Sequence, residues 1–368
     1  MGSVANALPG VPDVESPLFE TVFTRKNVSS ETMRVARDLR ENGFAVIDFP
    51  DPEFNAIAAR IIEVLSPQYN WEAWRAGKQR DLRVQDAWAN VPEVKRIASN
   101  PAILDLLRDL YGRRAFPFQT LNFAVGTQQH YHSDSIHFSS CPERFMVGVW
   151  VALEDIDAES GPLVYYPGSH KLPIFTNEQL GVLPDWSGTN PHSHYPRYEQ
   201  AWEALVEALD LKPMYFHAKK GQALIWSANL LHGGAAQRDK RRTRWSQVTH
   251  YYFEDCCYYT PLGSVPFLDT IHFRNNIVDI STGEYMRNRL VGAEIPEKRS
   301  APMTVTGTLK QIARRVRNAA QRQGPQPTLP PGFDAHAYLQ ANPDVAASGA
   351  DPVRHWIQFG QYEGRRLR

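Results

Sequence analysis

The first part of the chain alternates between helical and strand-like patterns of hydrophobic residues. Apolar residues three and four positions apart predict an amphipathic helix over Ser30–Asn42, which either Ser29 or Ser30 can cap. The β-branched and aromatic run Phe44–Phe49 then predicts a strand, and the periodicity of Phe54–Leu65 predicts a second helix. The N-terminal region is therefore expected to consist of helices packed beside a strand.

From about Phe116 the pattern changes to short apolar runs separated by Gly, Pro, Asn and Asp. The runs read FPFQTLNFAVG, FMVGVWVALED, GPLVYYPGSH, GQALIWSANLLHGG and TRWSQVTHYYF. Several short strands with turn residues between them are typical of an antiparallel sandwich or barrel. The central part of the chain is therefore predicted to be mainly β.

Residues 171–220 interrupt the strand pattern, and the C-terminal third of the chain predicts a hairpin, a basic helix and a linker. The segment 171–220 is rich in proline and aromatic residues and predicts a lid-like insertion with one helix near 198–209. A strand or hairpin is expected near 267–286, and a basic helix over 308–323. The proline-rich stretch 324–332 is the clearest candidate for a domain boundary.

Composition excludes several classes of protein. The 368 residues include 40 Lys+Arg and 40 Asp+Glu, so no net charge attracts the chain to nucleic acid. Three cysteines are too few for a disulfide scaffold, and the N-terminus lacks a leader pattern, which together predict a cytoplasmic protein. No run of about 18 apolar residues is present, so we expect no integral membrane segment.

Two histidines and a carboxylate form a candidate metal site. Residues two apart on a strand point to the same side, which places His132 and Asp134 together. His232 follows another apolar strand and precedes two glycines. Two histidines and one carboxylate can form the facial triad of non-heme iron(II) enzymes. His130 lies on the same predicted face as His132 and is an alternative ligand if the strand register differs.

A candidate anion site follows the last of these histidines. Alternation places Arg242, Arg244 and Ser246 on one face of the next predicted strand. A guanidinium beside a hydroxyl group suits a carboxylate. Arg244 is preferred because Ser246 and the Tyr251–Tyr252 pair then lie in register, and Arg242 is kept as the alternative.

These motifs in this order resemble the phytanoyl-CoA dioxygenase family of iron(II)- and 2-oxoglutarate-dependent oxygenases. The resemblance covers about residues 43–253 and depends on His132-Ser133-Asp134, the run GPLVYYPGSHK, the run GQAL leading to His232-Gly233-Gly234, and Arg244. It implies a double-stranded β-helix, the cupin-like jelly roll. Together with the patterns at the two ends of the chain, the expected fold is a mainly β jelly roll with flanking N-terminal helices and a small C-terminal helical module.

The resemblance also implies the cofactors and their ligands. His132, Asp134 and His232 would be the catalytic iron(II) ligands, and Arg244, assisted by Ser246, would bind the distal carboxylate of 2-oxoglutarate. Asn122 and Trp150 match positions that line the cosubstrate pocket in similar enzymes. The interval from His232 to the arginine is slightly longer here than in typical relatives.

The resemblance further implies a reaction. With O2, the family oxidises 2-oxoglutarate to succinate and CO2 and hydroxylates an unactivated C–H bond. The carboxylate at Asp134 disfavours halogenation, because similar halogenating enzymes have a small residue there.

The C-terminal tail has a pattern of its own. Residues 333–368 contain FDAHAYLQANPDV and HWIQFG, which predict short helices gathered around aromatic residues. The tail resembles a module attached to bacterial glycosyltransferases. That likeness favours a bacterial source and a saccharide-linked substrate, and the tail is also a candidate for oligomer or partner contacts.

The sequence therefore predicts an oxygenase domain over 1–300, a basic helix and linker over 301–332, and a helical module over 333–368. The expected activity is hydroxylation of a small-molecule or saccharide-linked substrate. Two alternatives remain open at this stage: a non-catalytic carbohydrate-binding barrel, and an enzyme of the same fold that carries out epimerisation, desaturation or ring formation.

Overall fold

The architecture is taken from a computed structural model that describes residues 7–79, 82–184, 193–295, 329–347, 351–356 and 365–368. The chain divides into two compact units, residues 1–297 and 298–368. The predicted basic helix at 308–323 and most of the predicted linker lie outside the described residues.

Seven α-helices are described in the first unit, and six of them lie within its first 111 residues. Their bounds are Phe19–Lys26 (α1), Ser30–Asn42 (α2), Phe54–Leu65 (α3), Trp71–Arg75 (α4), Pro92–Ala98 (α5), Pro101–Tyr111 (α6) and Tyr195–Ala208 (α7). The sequence pattern predicted α2 and α3 with these bounds. It gave no prediction for α1, α4, α5 and α6.

Local chemistry explains where α2 begins and ends. The Ser29 hydroxyl accepts a hydrogen bond from the Thr32 amide at 3.0 Å, which satisfies an N–H group that the first helical turn leaves free. At the other end Gly43 adopts a left-handed conformation, with φ of 84°. The buried Val35, Ala36 and Leu39 form the inward face, so capping and amphipathicity specify the same helix.

The strands form two principal antiparallel sheets in the first unit. Their bounds are Phe44–Asp48 (β1), Arg83–Gln85 (β2), Ala115–Phe123 (β3), Ser139–Cys141 (β4), Met146–Ala152 (β5), Leu163–Tyr165 (β6), Met214–Phe216 (β7), Gln222–Ser227 (β8), His232–Gly234 (β9), Ser246–Phe253 (β10), Cys257–Tyr259 (β11), Ile277–Val278 (β12), Tyr285–Met286 (β13), Arg289–Leu290 (β14) and Ala293–Glu294 (β15). The larger sheet has the order β1-β8-β5-β10-β3-β2, and the smaller one β7-β6-β9. The remaining strands pair as β4 with β11, β12 with β13, and β14 with β15.

The two principal sheets make up the predicted jelly roll. Buried residues from both sheets, among them Phe123, Trp150 and Leu163, belong to one apolar cluster. The opposite face of the larger sheet packs on the N-terminal helices through a second, larger cluster. The fold class expected from the sequence is therefore confirmed.

The segment 171–220 agrees in part with the predicted insertion. It contains α7, close to the predicted helix, while residues 185–192 lie outside the described residues. Its last part is not insertion, because β7 pairs with β6 through Leu163 opposite Phe216. The expected hairpin near 267–286 is present as β12 and β13.

The second unit contains three short helices within its described residues, Ala335–Ala341 (α8), Pro343–Ala347 (α9) and Pro352–His355 (α10). Asp334 caps α8 by accepting hydrogen bonds from the His336 and Ala337 amides. The rings of Phe333, Tyr338 and Trp356 pack together, as the aromatic pattern predicted. Across the described residues, none of the helices has both the length and the apolar character needed to span a membrane.

Candidate metal centre

Backbone pairing brings the two candidate histidine ligands together. The His132 amide donates to the His232 carbonyl at 2.9 Å, and the His232 amide donates back to the His132 carbonyl at 3.0 Å. Glycine at position 233 permits this approach, because a Cβ atom there would lie 2.7 Å from the Gln129 carbonyl oxygen. The glycine that follows His232 therefore sets the spacing of the two ligand-bearing segments.

The side chains of His132, Asp134 and His232 converge at the start of β9. His132 Nε2 lies 3.6 Å from Asp134 Oδ1, and His232 Nε2 lies 3.7 Å from Asp134 Oδ2. One donor atom from each residue falls within 4.8 Å of the others. All three side chains are buried or nearly so, which makes the cluster an enclosed site rather than a surface patch.

The hydrogen bonds of the histidines define which ring nitrogens face the centre. Nδ1 of His132 lies 3.1 Å from the His130 carbonyl oxygen, and Nδ1 of His232 lies 2.9 Å from the Leu230 carbonyl oxygen. A carbonyl only accepts, so each Nδ1 carries the proton and each Nε2 presents a lone pair to the centre. This tautomer is the one a divalent metal requires, and the donor set fits iron(II).

The surroundings of His232 and Asp134 keep both groups in the ionisation states that a metal needs. The pKa of His232 is lowered to about 4, mainly by burial, so its imidazole is neutral near pH 7. Burial acts to raise the pKa of Asp134, but the neighbouring His232, His132 and His250 outweigh it and hold that pKa below its usual range. The site therefore offers a neutral imidazole at His232 and an ionised carboxylate at Asp134.

Trp226 orients the carboxylate. Its indole Nε1 donates a hydrogen bond to Asp134 Oδ2 at 2.9 Å, and its ring packs 4.9 Å from the His232 ring. Sequence reasoning favoured a core-packing role for Trp226, and its contact with a candidate ligand was missed. Trp226 is almost fully buried and cannot easily move, so this hydrogen bond holds the Asp134 carboxylate in one orientation.

His250 is a second neighbour of the cluster that sequence reasoning missed. Its Nε2 lies 3.7 Å from Asp134 Oδ2, and its Nδ1 donates to Gln119 Oε1 at 2.9 Å. The alternation that placed Arg244 and Ser246 on one face continues through Val248 to His250. The signal was therefore present in the sequence, four residues beyond Ser246.

A cavity of about 450 Å³ lies between the two principal sheets and opens onto the candidate ligands. Its polar and charged lining residues are Arg83, Gln85, Gln119, Thr127, Gln129, His132, Asp134, His137, His232, Arg244, His250, Thr260, His272 and Arg274. Its aromatic and aliphatic lining residues are Leu121, Phe123, Phe138, Trp150, Leu163, Trp226 and Val248. A chamber of this size suits small molecules.

Arg244 supplies an unsatisfied positive charge to this cavity. The residue is 2% exposed, and its Nε and Nη1 atoms have no hydrogen-bond partner among the described residues. Burial lowers its pKa to about 10, so the guanidinium is still charged near pH 7. The indole Nε1 of Trp150 also lacks a partner, and the Trp150 ring lies 5.8 Å from the guanidinium. Unpaired buried donors of this kind call for an anionic ligand.

Ser246 and Asn122, two further predicted site residues, do not line the cavity. Ser246 is buried on the cavity face of β10 but does not line the cavity, and its hydroxyl lies 3.5 Å from the Arg244 carbonyl. Asn122 points away from the cavity, because Leu121 and Phe123 take the inner face of β3 and Asn122 alternates outward to Gln247. The expectation that Asn122 lines the pocket therefore differs from the structure.

The two alternatives left open by the sequence also lie outside the cavity. Arg242 is half exposed and pairs with Asp157 at 2.6 Å. His130 turns away from the cluster, and its Nε2 lies 2.9 Å from Glu203. Neither residue is among those that line the cavity beside Asp134.

The chain is similar in sequence to curated phytanoyl-CoA dioxygenases. The chain is 24% identical over 201 residues to the probable phytanoyl-CoA dioxygenase of Caenorhabditis elegans, which covers 50% of this chain and 59% of that protein. It is 25% identical over 194 residues to the peroxisomal phytanoyl-CoA dioxygenase of Rattus norvegicus, covering 50% of this chain and 52% of that protein. The chain thus spans between about half and three-fifths of the length of these curated relatives.

A solved structure and a family profile complete the comparison. A crystal structure of a non-heme alpha-ketoglutarate-dependent carbocyclase from nogalamycin biosynthesis aligns with 63% of this chain and 87% of its own, at 18% identity and a TM-score of 0.46. The profile described as phytanoyl-CoA dioxygenase (PhyH) matches residues 39–244, which is more than half of the chain and includes His132, Asp134, His232 and Arg244. The chain belongs to the phytanoyl-CoA dioxygenase family.

Proposed function

We propose that this protein is an iron(II)- and 2-oxoglutarate-dependent dioxygenase that hydroxylates an unactivated C–H bond of a small molecule. The observation that carries the proposal is the pairing of two features in one cavity. A buried two-histidine, one-carboxylate cluster faces the same space as Arg244, a buried arginine without an anionic partner in the described part of the chain.

Each residue has a defined part in this proposal. His132, Asp134 and His232 hold iron(II), with Trp226 keeping the Asp134 carboxylate in place. Arg244 binds the distal carboxylate of 2-oxoglutarate, and the indole N–H of Trp150 is a further donor for that anion. Two histidines and one carboxylate are the ligand set that would hold iron(II) for chemistry with 2-oxoglutarate and O2. When bound, iron supplies the oxidising chemistry that converts 2-oxoglutarate to succinate and CO2.

The lining of the cavity would shield the reacting atoms from water. Apolar and aromatic side chains line the cavity near the cluster, which limits the access of water to the reacting atoms. The identity of the oxidised carbon depends on how the substrate lies in this cavity. Hydroxylation is the default outcome, and a saccharide-linked substrate remains a prediction of the C-terminal sequence pattern.

We also propose that the oxygenase domain corresponds to residues 1–300 and that residues 333–368 form a separate module. The division of the chain into units at 297 and 298 supports this assignment. Every residue given a role at the metal or at 2-oxoglutarate lies in the first unit.

The experiment is a measurement of 2-oxoglutarate turnover. Purified protein is supplied with iron(II), 2-oxoglutarate and O2, and succinate is quantified with and without candidate small molecules. We expect iron-dependent succinate release that His232→Ala abolishes, and a product that gains one oxygen atom once a substrate is found. Succinate release that is unchanged in a folded His232→Ala variant would contradict the proposal.

A further inference from the structure

A second arginine faces the cavity at a distance from Arg244. Arg274 lies on an extended segment beside β11, where its amide donates to the Tyr258 carbonyl at 2.8 Å and Thr260 donates to the His272 carbonyl at 2.9 Å. Residues 272 and 274 therefore point the same way, and both line the cavity.

The guanidinium of Arg274 lies between two aromatic rings and has no carboxylate partner among the described residues. Its central carbon lies 4.7 Å from the centre of the Phe138 ring and 5.6 Å from that of Phe118. Its Nε atom is buried without a hydrogen-bond partner, and no ion pair involves Arg274 among the described residues. Cation–π contacts hold the group in place, but they leave its buried Nε–H without a hydrogen-bond partner.

The position of Arg274 separates it from the proposed 2-oxoglutarate site. Arg244 packs beside Phe123, whereas Arg274 packs beside Phe118, five residues earlier on β3. That interval corresponds to about 17 Å along a strand. His250 connects Arg274's aromatic neighbours to the metal cluster, since its ring lies 5.0 Å from Phe138 and its Nε2 lies 3.7 Å from Asp134. Phe138 and His250 therefore lie between Arg274 and the candidate ligand Asp134.

The charges that line the cavity as a whole leave a positive excess. Among the described lining residues there are three arginines, Arg83, Arg244 and Arg274, and one carboxylate, Asp134. Iron(II) and 2-oxoglutarate carry equal and opposite charges, so binding both leaves this excess unchanged. A neutral substrate would leave the buried Nε–H of Arg274 unpaired, which costs free energy.

We propose that Arg274 binds a carboxylate of the substrate, so that the enzyme oxidises a small carboxylic acid close to its acid group. The inference rests on the proposed function and specifies its substrate class. A single guanidinium matches a monoanion in both charge and geometry, whereas a phosphate dianion would call for further donors. Phe118 and Phe138 then provide an apolar surface for the carbon skeleton next to that carboxylate.

The test compares two molecules of the same shape. Protein loaded with iron(II) and 2-oxoglutarate in the absence of O2 is titrated with benzoate and with benzamide in a calorimeter. We expect benzoate to bind about tenfold or more tightly than benzamide, because a charge-assisted pair is lost in the amide. Arg274→Gln should remove this preference and Arg274→Lys should retain part of it. Arg83→Gln, which removes an equal charge from the same cavity, should retain it.

The outcomes separate this inference from the proposed function. The visible band that iron(II) and 2-oxoglutarate form together reports the proposed function, and Arg274→Gln should leave the 2-oxoglutarate concentration that it requires unchanged. If the band forms but benzoate shows no advantage over benzamide, or keeps its advantage in Arg274→Gln, the carboxylate subsite is wrong. If the band fails to form in the folded protein, the proposed function itself is wrong.

Discussion

At the scale of single residues, burial decides between two arginines that the sequence left as candidates for binding 2-oxoglutarate, Arg244 as the preferred one and Arg242 as the alternative. Arg242 and Arg244 lie two positions apart, and alternation predicts the same face for both. In the structure β10 begins only at Ser246, so strict alternation does not extend back to Arg242. Arg242 bonds to Asp157 near the surface, while Arg244 remains inside without an anionic partner among the described residues.

The first prediction compares these arginines directly. Arg244→Gln should weaken 2-oxoglutarate binding about tenfold to a hundredfold, because a buried charge-assisted pair is lost. Arg242→Gln should change that affinity little, because an exposed ion pair contributes about 1 kcal/mol at most. Titration of 2-oxoglutarate into the iron(II)-loaded variants measures both. A larger loss in Arg242→Gln would reverse the assignment.

At the scale of the strands, a glycine in the middle of the larger sheet makes room for Trp226. Gly148 on β5 lies opposite both Trp226 on β8 and His250 on β10. A Cβ atom at residue 148 would come within 2.1 Å of Trp226 Cζ2. The indole therefore crosses the site of a missing side chain to reach Asp134.

Gly148→Ala tests this arrangement. Overpacking should lower the free energy of unfolding by about 1–3 kcal/mol, and displacement of the indole should also weaken iron(II) binding. Gly10→Ala is the matched control, since its Cβ would meet its nearest atom at an ordinary 3.5 Å. Urea unfolding and iron(II) titration measure the two effects. A Gly148→Ala variant with unchanged stability and unchanged iron affinity would contradict the packing described.

Strand periodicity explains only part of what could be predicted about the site. The motifs around His132, Asp134, His232 and Arg244 identified all four residues, and the structure brings them to one cavity. The prediction that His132 and Asp134 share a strand is wrong, because Asp134 begins a 3-10 helix. Asn122 was misplaced because the register of β3, which depends on its pairing with β10, determines the face of each residue. Trp226 and Arg274 were not assigned site roles because their positions depend on contacts between segments distant in sequence.

At the scale of the whole molecule, the proposed chemistry belongs to one unit. All residues that line the cavity precede residue 298, and the second unit has its own aromatic cluster around Tyr338. A chain ending at residue 297 should therefore fold and form the iron(II)–2-oxoglutarate band with unchanged affinities. Circular dichroism and the anaerobic titration check this. A folded truncation that lost the band would place part of the site in the second unit.

An anaerobic titration of the purified protein with iron(II) and 2-oxoglutarate, followed by visible absorption, tests the assigned metal site. We expect a saturable metal-to-ligand charge-transfer band that requires both components and disappears in His232→Ala. Circular dichroism of that variant establishes that it is folded. A wild-type protein that is folded but forms no band, or a His232→Ala variant that forms the same band, would contradict the assignment of His132, Asp134 and His232 as the metal site.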